Sequence, residues 1–132
     1  MRSSNDLAPE IIGAAIRRHR RLGLGLLESA YEACLACELE KLGFRVERQK
    51  PVPLSYESIK LDCGFCADLV IEGRVIVELK CKEVLHLVDE ARLLSHLRRL
   101  NIPVGLLINF HVAQSGIKRM VNNYREPPAE NL

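Results

Sequence analysis

Asp68, Glu78 and Lys80 are the residues in this chain whose types and spacing could do chemistry. They fall in the stretch from Cys66 to Lys80, which reads as two apolar strands joined by a tight turn at Glu72-Gly73-Arg74. Side chains alternate along a strand, so Glu78 and Lys80 share one face while Val75, Val77 and Leu79 share the other. A hairpin would bring Asp68, near the start of the first strand, close to that polar face. Two carboxylates with an ammonium beside them can hold a divalent cation and a water. The competing reading is a solvated strand end, since an E-x-K triplet is common by chance. The setting favours the site. Val75-Ile76-Val77 predicts a strand buried on both faces, where charges are costly unless they are paired or bind a metal.

The elements that must position these residues come from one domain. The chain has 132 residues, 48% of them hydrophobic and 27% charged, the composition of a soluble globular protein. A formal net charge of +2 gives no argument for nucleic acid from the total. There is no apolar run long enough to span a bilayer and no signal-peptide core, so a cytoplasmic protein without a membrane partner is expected. The five cysteines include two C-x-x-C pairs, Cys34 with Cys37 and Cys63 with Cys66. Neither pair has the Gly/Pro-rich knuckle of a zinc site. Reduced thiols acting as small buried hydrophobes are expected, with neither zinc nor disulfide.

Taken in order, residues 1–8 read as a flexible N-terminus. From Pro9, apolar residues at Ile11, Ile12, Ala15, Ile16 and Leu22 predict a helix. Its other side carries Arg17, Arg18, Arg20 and Arg21, either a solvated face or a phosphate-contacting one. After Gly23-Leu24-Gly25 a second helix is predicted from about Leu26 to Leu42, with Gly43 as C-cap. Glu28 stands near its start, where the helix dipole favours a carboxylate. Phe44 to Lys50 reads as a strand, Leu54–Tyr56 and Ile59–Leu61 as a hairpin, and then come the two central strands. A helix ending near Leu100, a buried strand from Val104 to Phe110 and a short last helix from Gly116 to Tyr124 complete residues 9–124. Residues 125–132 read as a tail. A strand, helix, strand order favours a parallel crossover. The fold class is therefore α/β, with a mixed central sheet flanked by helices.

That order, with Asp68 and Glu78-Leu79-Lys80 on adjacent central strands, resembles the PD-(D/E)xK nuclease superfamily. Gly25-Leu26-Leu27-Glu28-Ser29-Ala30-Tyr31 is similar to the motif that names the GxxExxY protein family, and the blocks Val77–Lys80 and Gly105–Phe110 look like its later ones. The resemblance runs from about Ile11 to Val121. It implies a restriction-endonuclease-like core with two N-terminal helices, with Asp68 and Glu78 as ligands of Mg²⁺ or Mn²⁺. It further implies Glu28 as a helix carboxylate at the metal and Lys80 as the group that orients or activates the attacking water. Where the family usually has His-Glu-Ala-Gln, this chain has Asp89-Glu90-Ala91-Arg92. Arg92 can contact phosphate but cannot accept a hydrogen bond from water.

Two classes of function follow. One is a Mg²⁺-dependent nuclease hydrolysing phosphodiester bonds of nucleic acid, using Glu28, Asp68, Glu78 and Lys80, with Arg17, Arg18, Arg20, Arg21 and Arg92 on the strand. The other is an inactive protein of the same fold that binds nucleic acid or serves as an oligomeric interaction module. An aromatic content of 5% offers few stacking platforms for single strands.

Overall fold

The structure is a computed structural model that describes residues 3–61, 65–111 and 116–122. Ten elements follow one another: α1 (Ser4–Leu22), α2 (Glu28–Lys41), β1 (Val46–Pro51), β2 (Leu54–Tyr56), β3 (Ile59–Leu61), β4 (Cys66–Ile71), β5 (Val75–Lys80), α3 (Leu87–Leu100), β6 (Val104–Asn109) and β7 (Ile117–Val121). Five strands form one mixed sheet in the order β1-β4-β5-β6-β7. Among the described residues only β5 and β6 pair in parallel, across the α3 crossover. β2 and β3 form a separate hairpin. This is the α/β architecture expected, a restriction-endonuclease-like core with two helices ahead of it.

Alternation along the strands sorts the core into two layers. Leu69, Ile71, Val75, Val77, Leu79, Leu106 and Ile108 pack with α1 and α2 through Ile11, Ala15, Tyr31, Leu35 and Leu39. Val70, Ile76 and Leu107 pack on the other face with Leu93 and Leu97 of α3. Strand β5 is thus covered on both sides, as the run Val75-Ile76-Val77 predicts. Gly105 lets α3 lie close to the sheet. A Cβ there would come within 2.9 Å of Leu93 Cδ1. No helix among the described residues is long and apolar enough to cross a membrane.

Beyond shifts of one or two residues at α2 and β1, the two ends of the domain differ from the sequence reading. Helix α1 begins at Ser4, within the stretch read as a flexible N-terminus. Ser3 Oγ accepts from Asp6 N and Asp6 Oδ2 accepts from Ser3 N, both at 3.3 Å, forming a capping box. Leu7 and Ala8 are buried, and Ser4 Oγ donates to Arg74 O at 3.1 Å, which ties the helix start to the β4–β5 turn. The last element is the strand β7 rather than a helix. Ile117, Met120 and Val121 mimic helical spacing over a window too short to decide. What decides is β6, every residue of which is buried, so that its outer backbone needs a partner. Residues 123–124 and the tail lie outside the described residues, as does Cys63. Cys34, Cys37, Cys66 and Cys81 are free thiols.

Candidate active site

The site forms where β4 and β5 part. Their ladder pairs Ile71 with Val75, Val70 with Ile76 and Leu69 with Val77, then stops. One further step in the same register would set Asp68 opposite Glu78. Side chains replace the ladder there. Asp68 Oδ2 accepts from Leu79 N at 2.8 Å, and Glu78 Oε2 faces Asp68 N at 3.4 Å. Burial pushes the Asp68 carboxyl above the ordinary carboxylate range, and the neighbouring Glu78 charge pushes it further, against hydrogen bonds from Leu79 N and Gln49.

Glu78 is itself only 6% exposed and is held from the α3 side. His96 Nδ1 lies 2.5 Å from Glu78 Oε1, and the imidazole is as buried as the carboxylate. An ionised carboxylate only accepts, so this contact calls for a proton on Nδ1. Asp68 is held from the α2 side. Gln49 Nε2 donates to Asp68 Oδ1 at 3.2 Å and to Glu32 Oε1 at 2.5 Å. Arg48 donates to the other Glu32 oxygen from Nε at 3.3 Å and Nη2 at 3.0 Å. The register of β1 and β4 sets Gln49 opposite Asp68, and its backbone there is left-handed, with φ of 50° in the middle of β1. Arg48 pairs with Leu69 and Lys50 with Ala67, while Gln49, between them, drops out of the ladder and turns its amide toward the fork.

Lys80 ends β5, half-buried, and its carbonyl accepts from Phe110 N at 2.8 Å. Its ammonium is near enough to Asp89 to favour that carboxylate's charge. Glu28 is the first residue of α2 and exposed. Its charge acts on Cys81, the residue after Lys80, whose thiol is pushed up first by burial and then by Glu28. That puts Glu28 near Cys81 rather than beside Asp68 and Glu78, while Glu32, one turn further along α2, makes the link to Asp68. Tyr31 explains the loop before Glu28. Its hydroxyl donates to Gly23 O and accepts from Leu26 N, and its ring stacks on Phe110 with centroids 4.5 Å apart. Asn109 and Asp89 fix the turn after Lys80. Asn109 bonds both backbone groups of Lys82, and both Asp89 oxygens accept from Lys82 Nζ at 2.9 Å.

The basic residues divide. Arg17, Arg20 and Arg21 are exposed, whereas Arg18 is half-buried with Nε 3.8 Å from Glu38 Oε2. His19, just ahead of Arg20, meets Phe110 edge-on at 5.3 Å, so this end of α1 lies at the Lys80 end of the sheet. Arg92 is exposed on α3.

Three residues of the site escape sequence reasoning. His96 carries a signal, a polar residue on the apolar stripe that contains Leu93 and Leu97. Glu32 and Gln49 carry none, because they meet only when α2 docks on β1. Among the described residues no group of three or more His, Cys, Asp and Glu side chains is placed to hold a metal ion. Asp68 and Glu78 still suit a hard divalent cation, being two oxygen donors side by side whose mutual repulsion a cation would relieve.

A family model described as the PD-(D/E)XK nuclease superfamily matches residues 5–120. Neither the curated proteins nor the solved structures yield a significant match.

Proposed function

The chain belongs to the PD-(D/E)XK nuclease superfamily, and from that premise we propose that it is a metal-dependent nuclease in which Asp68 and Glu78 hold Mg²⁺ or Mn²⁺. The observation that supports this best is the fork. The ladder between β4 and β5 stops where two carboxylates come together, and one of them has its pKa raised, first by burial and then by the other. A divalent ion bound there supplies Lewis acidity toward a phosphoryl oxygen and a water of lowered pKa.

The chain's own residues do the rest. Gln49 and the Leu79 amide fix the Asp68 carboxylate, and His96 fixes that of Glu78. The Lys80 ammonium, two residues beyond Glu78 on the same strand face, orients the attacking water and favours its deprotonated form. Glu28, whose charge reaches Cys81 next to Lys80, accepts a hydrogen bond from that water. Arg17, Arg20, Arg21 and Arg92, all exposed, are among the cations available to a substrate backbone. Within the superfamily we place the chain with the GxxExxY proteins, on Gly25, Glu28 and Tyr31. The Tyr31 hydroxyl, which holds the loop that presents Glu28, gives that motif a physical reason.

The test is to incubate the pure protein with labelled DNA and RNA, single-stranded, nicked and duplex, in Mg²⁺, Mn²⁺ or EDTA. Cleavage that needs metal and is abolished in Asp68→Ala supports the reading. Metal-independent cleavage, or none on any substrate, overturns it. Arg92, standing where the family's Gln would accept from water, favours a second reading, a nucleic-acid-binding domain without turnover. Salt-dependent binding that Asp68→Ala leaves unchanged, with no cleavage, would assign that role.

A further inference from the structure

One face of α3, from Val88 to Arg99, borders a cleft of about 340 Å³. His96 is common to this cleft and to the site, lining the one and bonding Glu78 in the other. Whatever fills the cleft therefore lies one side chain from the proposed metal ligands. Its walls are apolar. Phe65 and Val88 border it while 47% and 58% exposed, and Val52 closes its floor. Among the described residues its charged groups are all of one sign, the guanidiniums of Arg92 and Arg99, and no carboxylate lines it. Arg99 Nε donates to Ser95 Oγ at 3.2 Å, which holds that side chain along the helix.

A flat apolar body carrying negative charge complements such a cleft. We infer that it takes one unpaired nucleotide of the substrate strand, with the base against Phe65 and Val88 and the phosphate at Arg92 and Arg99. A base–aromatic contact of this kind is indifferent to base identity, because every base has a π-face. A base within a duplex is stacked and paired and enters only after being extruded, at a cost that an already single strand does not bear. The volume is near the small end of ligand sites, which run from about 300 to 1,000 Å³, and suits one nucleotide rather than a pair. The inference rests on the nuclease reading and narrows it. The substrate is single-stranded nucleic acid, or a strand end that frays.

The experiment separates the two. Binding of a fluorescein-labelled single-stranded 12-mer and of the same sequence as a blunt duplex is measured by anisotropy in EDTA, where no turnover occurs. The proteins are wild type, Ala91→Trp, which fills the cleft from its exposed rim, and Phe65→Ala, which empties one wall. Circular dichroism checks their folding. The expected result is a single-strand affinity about tenfold weaker in each variant, the worth of one stacked base, with duplex affinity within twofold of wild type. Equal weakening on both ligands, or none on either, overturns the inference, even where Mg²⁺-dependent cleavage supports the nuclease reading. Cleavage lost with cleft-dependent binding intact overturns the nuclease reading and leaves the binding site. A dimer in sedimentation that Ala91→Trp dissociates assigns the cleft to a second copy and likewise overturns the nucleotide.

Discussion

Replacing Gln49 by alanine and, separately, by glycine tests the two things that residue does. Both changes remove the hydrogen bonds from Nε2 to Glu32 and to Asp68. Glu32 keeps Arg48, and Asp68 keeps Leu79 N, so neither carboxylate is orphaned. The lost bonds are charge-assisted but their donor side chain is exposed, so a cost of about 2 kcal/mol for the pair is expected. The backbone separates the variants. Alanine at a φ of 50° keeps the left-handed strain, roughly 1–2 kcal/mol, and glycine releases it. Glycine gives back part of that through the freedom of the unfolded chain, about 0.5–1 kcal/mol. Gln49→Gly should therefore be the more stable of the two, by about 0.5–1 kcal/mol from these opposed terms. Urea unfolding in EDTA, with unchanged m values, measures it. Cleavage in Mg²⁺ should fall alike in both, about tenfold or more, as when a group that orients a metal ligand is lost. An alanine variant at least as stable as the glycine one would refute the strain argument. Wild-type cleavage by both would refute the role given to Gln49 at Asp68.

Asp68→Asn should melt higher than wild type at pH 7 in EDTA and lose any Mg²⁺-induced rise in Tm. The raised pKa means that the folded protein binds more protons than the unfolded chain in the window between their two values. Stability therefore falls as pH rises through that window, and the neutral amide escapes the penalty. Asp89 has the opposite sign. Burial pushes its carboxyl up, but hydrogen bonds from His86 N and Lys82 Nζ outweigh burial and hold it below the ordinary range. Its contribution is present above the unfolded value and lost as pH falls through the folded one. Asp89→Asn should cost about 2 kcal/mol at neutral pH, a gap that closes in acid when followed by thermal melts. Gly105→Ala should cost about 1–3 kcal/mol by forcing a methyl onto Leu93. Adding Leu93→Ala should recover part of that cost, read as a positive coupling in a double-mutant cycle.

The sheet was legible because its signals are local and redundant. The turn at Glu72-Gly73-Arg74 and the alternation on either side determine β4, β5 and their register, and the register in turn brings Asp68 and Glu78 to one place. The parallel crossover followed from the strand, helix, strand order of β5, α3 and β6. The capping box at Ser3 and Asp6 was also in the sequence, but a proline five residues inside the helix was read as its start. β7 was illegible for a different reason, since five residues of ambiguous spacing become a strand only because β6 leaves an edge to be paired. The groups that orient the site were the least legible. His96 lies 18 residues from Glu78 and Gln49 lies 19 from Asp68, and each contact forms only when separate elements dock. Glu28 shows the converse. Its motif is plain, yet the carboxylate of α2 that is linked to Asp68 is that of Glu32.

The left-handed residue in β1 has a bearing on how copies of this molecule meet. β1 is one border of the sheet, and its far side offers backbone donors and acceptors to any extended chain that comes by. A flat border would be a template for strand addition and hence for aggregation. Here the border carries Glu47, Arg48 and Lys50 and ends at Pro51, and Gln49 puts a twist in its centre. An incoming strand would meet a broken hydrogen-bonding rhythm in the middle of β1 and charges on both sides of it. The residue whose amide bonds Asp68 is thus also the one that interrupts the hydrogen-bonding rhythm of this border. A variant selected for a smoother β1 would risk solubility together with the geometry of the fork.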